Sequence, residues 1–282
     1  MLLLPLLLFS WAAKCDEVDD YVDLFVECMR LNIVSEDGLK IPSSDEFRFV
    51  EKSMAIGYTK EEAVAIANRF SAEVVDSIKS SYLFSIYYEY VSYADLRAAL
   101  DYFDNDYGRA VLNRSDFHSD SVTTVKLTNR MISAISSMLI DGKMVEEKSL
   151  CPSGYLKKAK RYIEVSGMKD FSFASVLGKK NNDRSAKIIS SYMDKNWVVL
   201  VSDAMYGSFT EEDLDFINKF YASKAGKSFS KASKVVWNGV GDFFLWVQDE
   251  FEPYLRGEYE KNPPSFMKGL EKSGDVEDSL NG

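Results

Sequence analysis

Three cysteines and a single histidine are the most reactive side chains of this chain, and their number already narrows the chemistry open to it. His118, beside Phe117 and Asp120, could serve as the general base of a hydrolase built from scattered Ser and Asp residues, but one histidine cannot form a multi-histidine metal centre. Cys15, Cys28 and Cys151 show no CxxC spacing, so neither a zinc ribbon nor a redox dithiol is indicated. Two acidic clusters, Asp16-Glu17 with Asp19-Asp20 and Glu211-Glu212-Asp213, have the makings of an acid–base carboxylate pair. Both lie where helices should begin, and carboxylates there favour the positive end of the helix dipole.

Four short matches fail on spacing or context. Ala225-Gly-Lys-Ser228 imitates the end of a phosphate loop, but the first glycine of that loop is replaced by Tyr221, and a helix precedes it where a strand is needed. Asp104-Asn-Asp106-Tyr-Gly108 imitates a calcium loop with its glycine one position early. Ser228-Phe-Ser-Lys231 with Lys272-Ser-Gly274 echoes penicillin-recognising enzymes without their Ser-Asp-Asn element. Asn113-Arg-Ser115 is a glycosylation sequon that has meaning only in a eukaryotic source. No catalytic, cofactor-binding or metal-binding set emerges, and no cofactor is expected.

The elements that would position these residues follow a repeat. Ser92-Tyr-Ala-Asp95-Leu96 through Phe103-Asp-Asn105-Asp-Tyr-Gly108-Arg109 returns as Thr210-Glu-Glu-Asp213-Leu214 through Tyr221-Ala-Ser223-Lys-Ala-Gly226-Lys227, displaced by 118 residues without a gap. Each copy opens on a hydroxyl residue three positions before an acid, the capping-box spacing that starts a helix. Leu96, Ala99, Leu100 and Phe103 then share one helical face, as Leu214, Ile217 and Tyr221 do in the second copy. Asn105 and Ser223 are good N-caps for a restart, with Gly108 or Gly226 in the new first turn. Glycine there costs about 1 kcal/mol of helix propensity against alanine, so a backbone or ring is expected close against it. Arg109 and Lys227 read as surface residues.

The capped acid–Leu helix, aromatic pair, Ser-containing break and Ala-Gly-Lys start together resemble a bacterial family catalogued as domain of unknown function 2059. The resemblance rests on Thr210-Glu-Glu-Asp213-Leu214, Phe220-Tyr221 and Ser223-Lys-Ala225-Gly226-Lys227, with the first copy a looser match. It implies an exported, all-helical protein of Gram-negative bacteria and supplies no catalytic residues.

A hydrophobic share of 46% over 282 residues is enough for one large or two ordinary cores. The formal charge of −10 makes nucleic acid and anionic lipid poor partners, since such binding rests on clustered Lys and Arg and no basic stripe of the required density occurs. Met1 to Ala13 reads as a signal-peptide core with cleavage after Ala12 or Ala13, too short for a transmembrane helix. The mature chain is thus expected to be periplasmic or secreted and to lack a membrane span. Anchoring through lipid on Cys15 is the lesser alternative, because Lys14 stands where that signal needs a small residue. An oxidising compartment permits one disulfide among three pairings, of which Cys28 with Cys151 is preferred because it closes a long loop; the alternative is that all three remain thiols.

Repeated caps, Ser43 with Glu46 and Thr59 with Glu62 among them, and proline-free stretches from Ser43 to Leu150 and from Ser153 to Glu252 favour an all-α fold. The strand-like Val198 to Leu200 is too short to alter that. The expected architecture is two tandem related helical bundles: a first module over 14–140, a polar linker over 141–154, a second module over 155–261 and a flexible tail over 262–282. A last helix is expected over Val235 to Tyr254, with Pro253 kinking or ending it. The function expected is protein contact at the cell envelope with an unidentified protein partner. The alternative is an apolar small molecule or lipid held in an aromatic-lined helical cavity.

Overall fold

The computed structural model describes residues 18–34, 39, 43–114, 122–170 and 184–265. Every regular element among them is helical and no strand occurs there. The helices are α1 (18–30), α2 (Ser43–Ala55), α3 (Lys60–Phe70), α4 (Asp76–Tyr90), α5 (Tyr93–Phe103), α6 (Asp106–Arg114), α7 (Val122–Asp141), α8 (Ser153–Val165), α9 (Arg184–Met205), α10 (Glu211–Ala222) and α11 (Lys224–Lys261). A π-turn, Ser71–Val75, joins α3 to α4. The expected all-α class is therefore the one found. No described helix is long and apolar enough to cross a membrane.

Local chemistry explains most boundaries. Thr59 accepts the Glu62 N–H while the Glu62 carboxylate accepts the Thr59 N–H, a complete capping box at the start of α3. Gly57 just before it sits at φ 105°, where a side chain would be strained. Thr210 and Asp213 repeat the complete box at α10, and Val198 to Leu200 lie inside α9. Pro253 does not end the last helix, which runs unbroken from Lys224 to Lys261. Ring contacts hold both sides of that proline: Phe251, before it, stacks on Phe49 at 4.4 Å and Tyr254, after it, meets Phe70 at 5.1 Å.

Two compact units divide the chain, and they interleave along it rather than follow one another. The first comprises described residues within 1–38 and 84–240, the second those within 39–83 and 241–282. Segment 141–154 thus falls inside the first unit and does not separate the two, so the units do not match the sequential halves 14–140 and 155–261. The second unit is centred on Phe49, Phe70 and Phe251, with Lys52 paired to Glu252 at 2.9 Å and Arg69 paired to Glu258. Tyr58 donates to the Asn262 carbonyl at 2.7 Å and Ser265 bonds Glu62, so the first residues of the expected tail are fastened. Residues beyond Ser265, like the signal-like stretch before Val18, lie outside the described residues.

The core of the first unit joins both copies of the repeat. Val111 of the first copy packs in one cluster with Leu214 and Ile217 of the second and with Tyr155, Ala159 and Ile163 of α8. A neighbouring cluster sets Ala134 and Met138 of α7 against Tyr192, Met193 and Leu200 of α9.

Candidate functional site

The repeated motif residues meet at a contact between the two copies. Tyr102 and Phe220, equivalent under the 118-residue shift, touch each other at 5.5 Å. Around them Tyr102 lies 4.6 Å from Phe216, Phe103 lies 4.8 Å from Phe220, and the Tyr102 hydroxyl donates to the Phe216 carbonyl at 3.0 Å. The polar contacts are reciprocal. Ser228, on the helix after the break in copy two, donates to the Asp95 carboxylate of copy one at 3.0 Å. Tyr107 and Arg114, on the matching helix of copy one, donate to the Asp213 carboxylate of copy two at 3.0 and 2.5 Å. A self-equivalent pair at the centre with exchanged contacts on either side is the pattern of an approximate twofold relation.

The helix breaks are built alike. Asn105 accepts the Gly108 N–H at 2.9 Å and Ser223 accepts the Gly226 N–H at 3.0 Å, the expected N-caps. A Cβ on Gly108 would lie 2.4 Å from the Phe103 carbonyl oxygen, and one on Gly226 would lie 2.1 Å from that of Phe220. The glycines let each restarting helix close on the end of its predecessor. Leu96 and Leu214 are both fully buried, while Arg109, paired with Asp104, and Lys227 are exposed.

Asp213 is wholly buried yet charged. Burial disfavours its ionised form, but the Thr210 N–H and hydroxyl, Arg114 and Tyr107 outweigh that and hold the carboxyl below the usual carboxylate range. Its two oxygens accept from Tyr107, Arg114 and the Thr210 N–H. Glu211 of the same acidic cluster pairs with Lys158 at 3.0 Å, as Asp215 does at 2.6 Å.

Ser92, the first copy's cap, instead borders an open groove of about 670 Å³ lined by Val18, Asp20, Tyr21, Tyr88, Val91 and Tyr93. Tyr21 donates to the Val91 carbonyl at 2.9 Å and packs edge-on against Tyr88 and Phe84, and burial raises its phenol well above the ordinary value. Tyr88 and Tyr93 are 51% and 43% exposed, so half of each ring faces solvent at the groove. No periodic pattern marks this site, because Tyr88 and Tyr93 leave the buried stripes of two successive helices.

The two cysteines among the described residues are not joined. Cys28 and Cys151 are both free thiols, which overturns the expected disulfide. Cys28 is buried with its sulfur 3.8 Å from the Leu96 carbonyl, and burial raises its pKa to about 12. Cys151 donates to Asp203 at 3.2 Å and to the Ser202 carbonyl at 3.4 Å, and burial followed by the Asp203 contact raises it to about 11. Each sulfur is committed to a different helix, so the two cannot meet without unpacking. Asp203 also accepts from Arg130, Ser149 and the Leu150 N–H, and Arg130 reaches Glu147 at 2.5 Å. With Asn196 bonding the Glu147 N–H and the Val145 carbonyl, this network fastens the irregular 142–150 stretch onto α9.

His118, Cys15, Asp16, Glu17, Ser115 and Lys272 to Gly274 lie outside the described residues. Among the described residues no three His, Cys, Asp or Glu side chains converge as a metal ion requires. No protein-family model, curated protein or solved structure matches the chain.

Proposed function

We propose that this chain is a non-catalytic protein-interaction module of the cell envelope, exported and acting through contact with a protein partner. The motif residues support this reading: Asp95, Asp213, Ser228 and Arg114 join helices to one another rather than line a cleft. Rings fill the contact between the copies, with Tyr102, Phe103, Phe216 and Phe220 packed at 4.6–5.6 Å, leaving the helical interior to side chains rather than to a greasy ligand. The observation that carries the proposal is the groove beside Ser92. Its half-exposed tyrosines present rigid amphipathic rings of the kind enriched in protein interfaces, and Asp20 adds a carboxylate that suits a basic partner segment.

A photo-crosslinking residue placed at Tyr88 of the full chain tests this in envelope extract. A discrete protein adduct is expected, lost when Tyr93→Ala is added while the thermal melt is unchanged. No adduct above background at native abundance would remove the proposal. Native mass spectrometry addresses the carrier alternative: a bare mass is expected, and retained lipid would favour the carrier.

A further inference from the structure

We propose that the turn joining α7 to the 142–150 stretch, with the start of α9, docks on an anionic lipid bilayer. The last turn of α7 exposes what a helix end in water normally hides. Ile140 is 83% exposed, Leu139 is 41% exposed, and Met144 just beyond Gly142 is 44% exposed. Met138, Met144 and Ile188 supply the apolar walls of an open hollow of about 550 Å³, and Arg184 and Lys187 stand on the same lining. Lys143 is exposed on the turn itself. No ion pair to Lys143, Arg184 or Lys187 occurs among the described residues, whereas neighbouring Lys195 is paired with Glu146 and Arg130 with Glu147 and Asp203. Asp141 is the carboxylate of the turn, and Ser137 bonds it at 3.3 Å.

Cations with no ion-pair partner among the described residues, set around an apolar tip, are unexpected on a chain of net charge −10, whose charge as a whole repels an anionic surface. That repulsion is screened beyond about 10 Å at 0.1 M salt, so a local cluster held at the surface decides the outcome. Apolar side chains at such a tip enter the boundary between headgroups and acyl chains, while lysine and arginine meet the phosphates. A bilayer fits better than a protein partner here. A fluid surface needs no shape complementarity, and the exposed apolar side chains here, Leu139, Ile140 and Met144, are confined to one turn rather than spread over a face broad enough for a stable protein interface. The site shares no residue with the tyrosine-lined groove and does not depend on the protein-contact reading.

Flotation of the full chain with vesicles tests the proposal. At 0.1 M salt the chain is expected to float with phosphatidylcholine vesicles doped with phosphatidylglycerol and not with phosphatidylcholine alone. Arg184→Gln with Lys187→Gln should weaken partitioning about twenty-five-fold, from a factor of about five per cation removed. Ile140→Ser should weaken it about tenfold through lost insertion. Both variants should melt as the parent does, and Tyr88→Ala should bind vesicles as the parent does. Absence of flotation with the doped vesicles would overturn the proposal, as would equal flotation on uncharged vesicles or variants that float undiminished.

Discussion

Asp95 and Asp213 occupy equivalent positions in two copies of one motif, yet they are satisfied in different ways. Asp213 closes a full capping box and takes Tyr107 and Arg114 from the other copy. Asp95 binds its own cap hydroxyl at 2.9 Å, leaving the box half made, and takes Ser228 alone. The residues that differ are complementary: Tyr107, Arg114 and Phe216 stand where the other copy has Ala225, Ala232 and Ala98, and Ser228 stands opposite Ala110. Local sequence thus starts a helix at the equivalent position in both copies, while the further load each acid bears is set by residues over a hundred positions away.

The sharpest way to break this comparison is to remove the acids one at a time. Asp213→Ala removes the cap carboxylate together with the hydrogen bonds it accepts from Arg114 and Tyr107, and should cost about 2–3 kcal/mol in denaturant unfolding. Asp95→Ala should cost about 1 kcal/mol, so equal losses would end the claim of asymmetry. Next come the glycines, where the copies should agree: Gly108→Ala and Gly226→Ala each force a methyl against a carbonyl and should cost about 2–3 kcal/mol despite alanine's better propensity. A stabilised alanine variant at either site would contradict the close approach. Acid titration then sharpens the contrast more gently. Asp213 has a depressed pKa in the folded chain, so its contribution is complete above the ordinary carboxylate value of about 4 and fades as pH falls further through the folded value. The melting temperature should decline more steeply below that pH in the parent than in Asp213→Asn, and parallel curves would refute it. Smallest is a chemical reading: at pH 8 iodoacetamide should label Cys28 and Cys151 slowly in the native chain and fully after denaturation. A disulfide-linked peptide spanning them would restore the pairing that the free thiols contradict.

The helical class was legible because its signals are local. The Thr59 and Thr210 boxes, the Asn105 and Ser223 caps and the paired glycines each act within a few residues, and each stands where its spacing placed it. Polarity misled at 141–154. Glu147 and Ser149 look like solvated linker residues, but their partners Arg130, Tyr192 and Asp203 come from helices on both sides, and no short-range pattern records that. Pro253 misled for a similar reason, since the rings that keep the helix going past it sit far away in sequence. The groove at Tyr88 and Tyr93 was invisible because exposed aromatic residues carry no period.

The exchange of partners between the copies also orders the way the chain is made. Arg114 and Tyr107 leave the ribosome about a hundred residues ahead of the carboxylate they hold, and Asp95 precedes Ser228 by more. Contacts so distant in sequence close late and slowly. Neither copy is finished at its own synthesis: the earlier one waits, its cation and phenol unclaimed, until the later one has emerged to complete both at once.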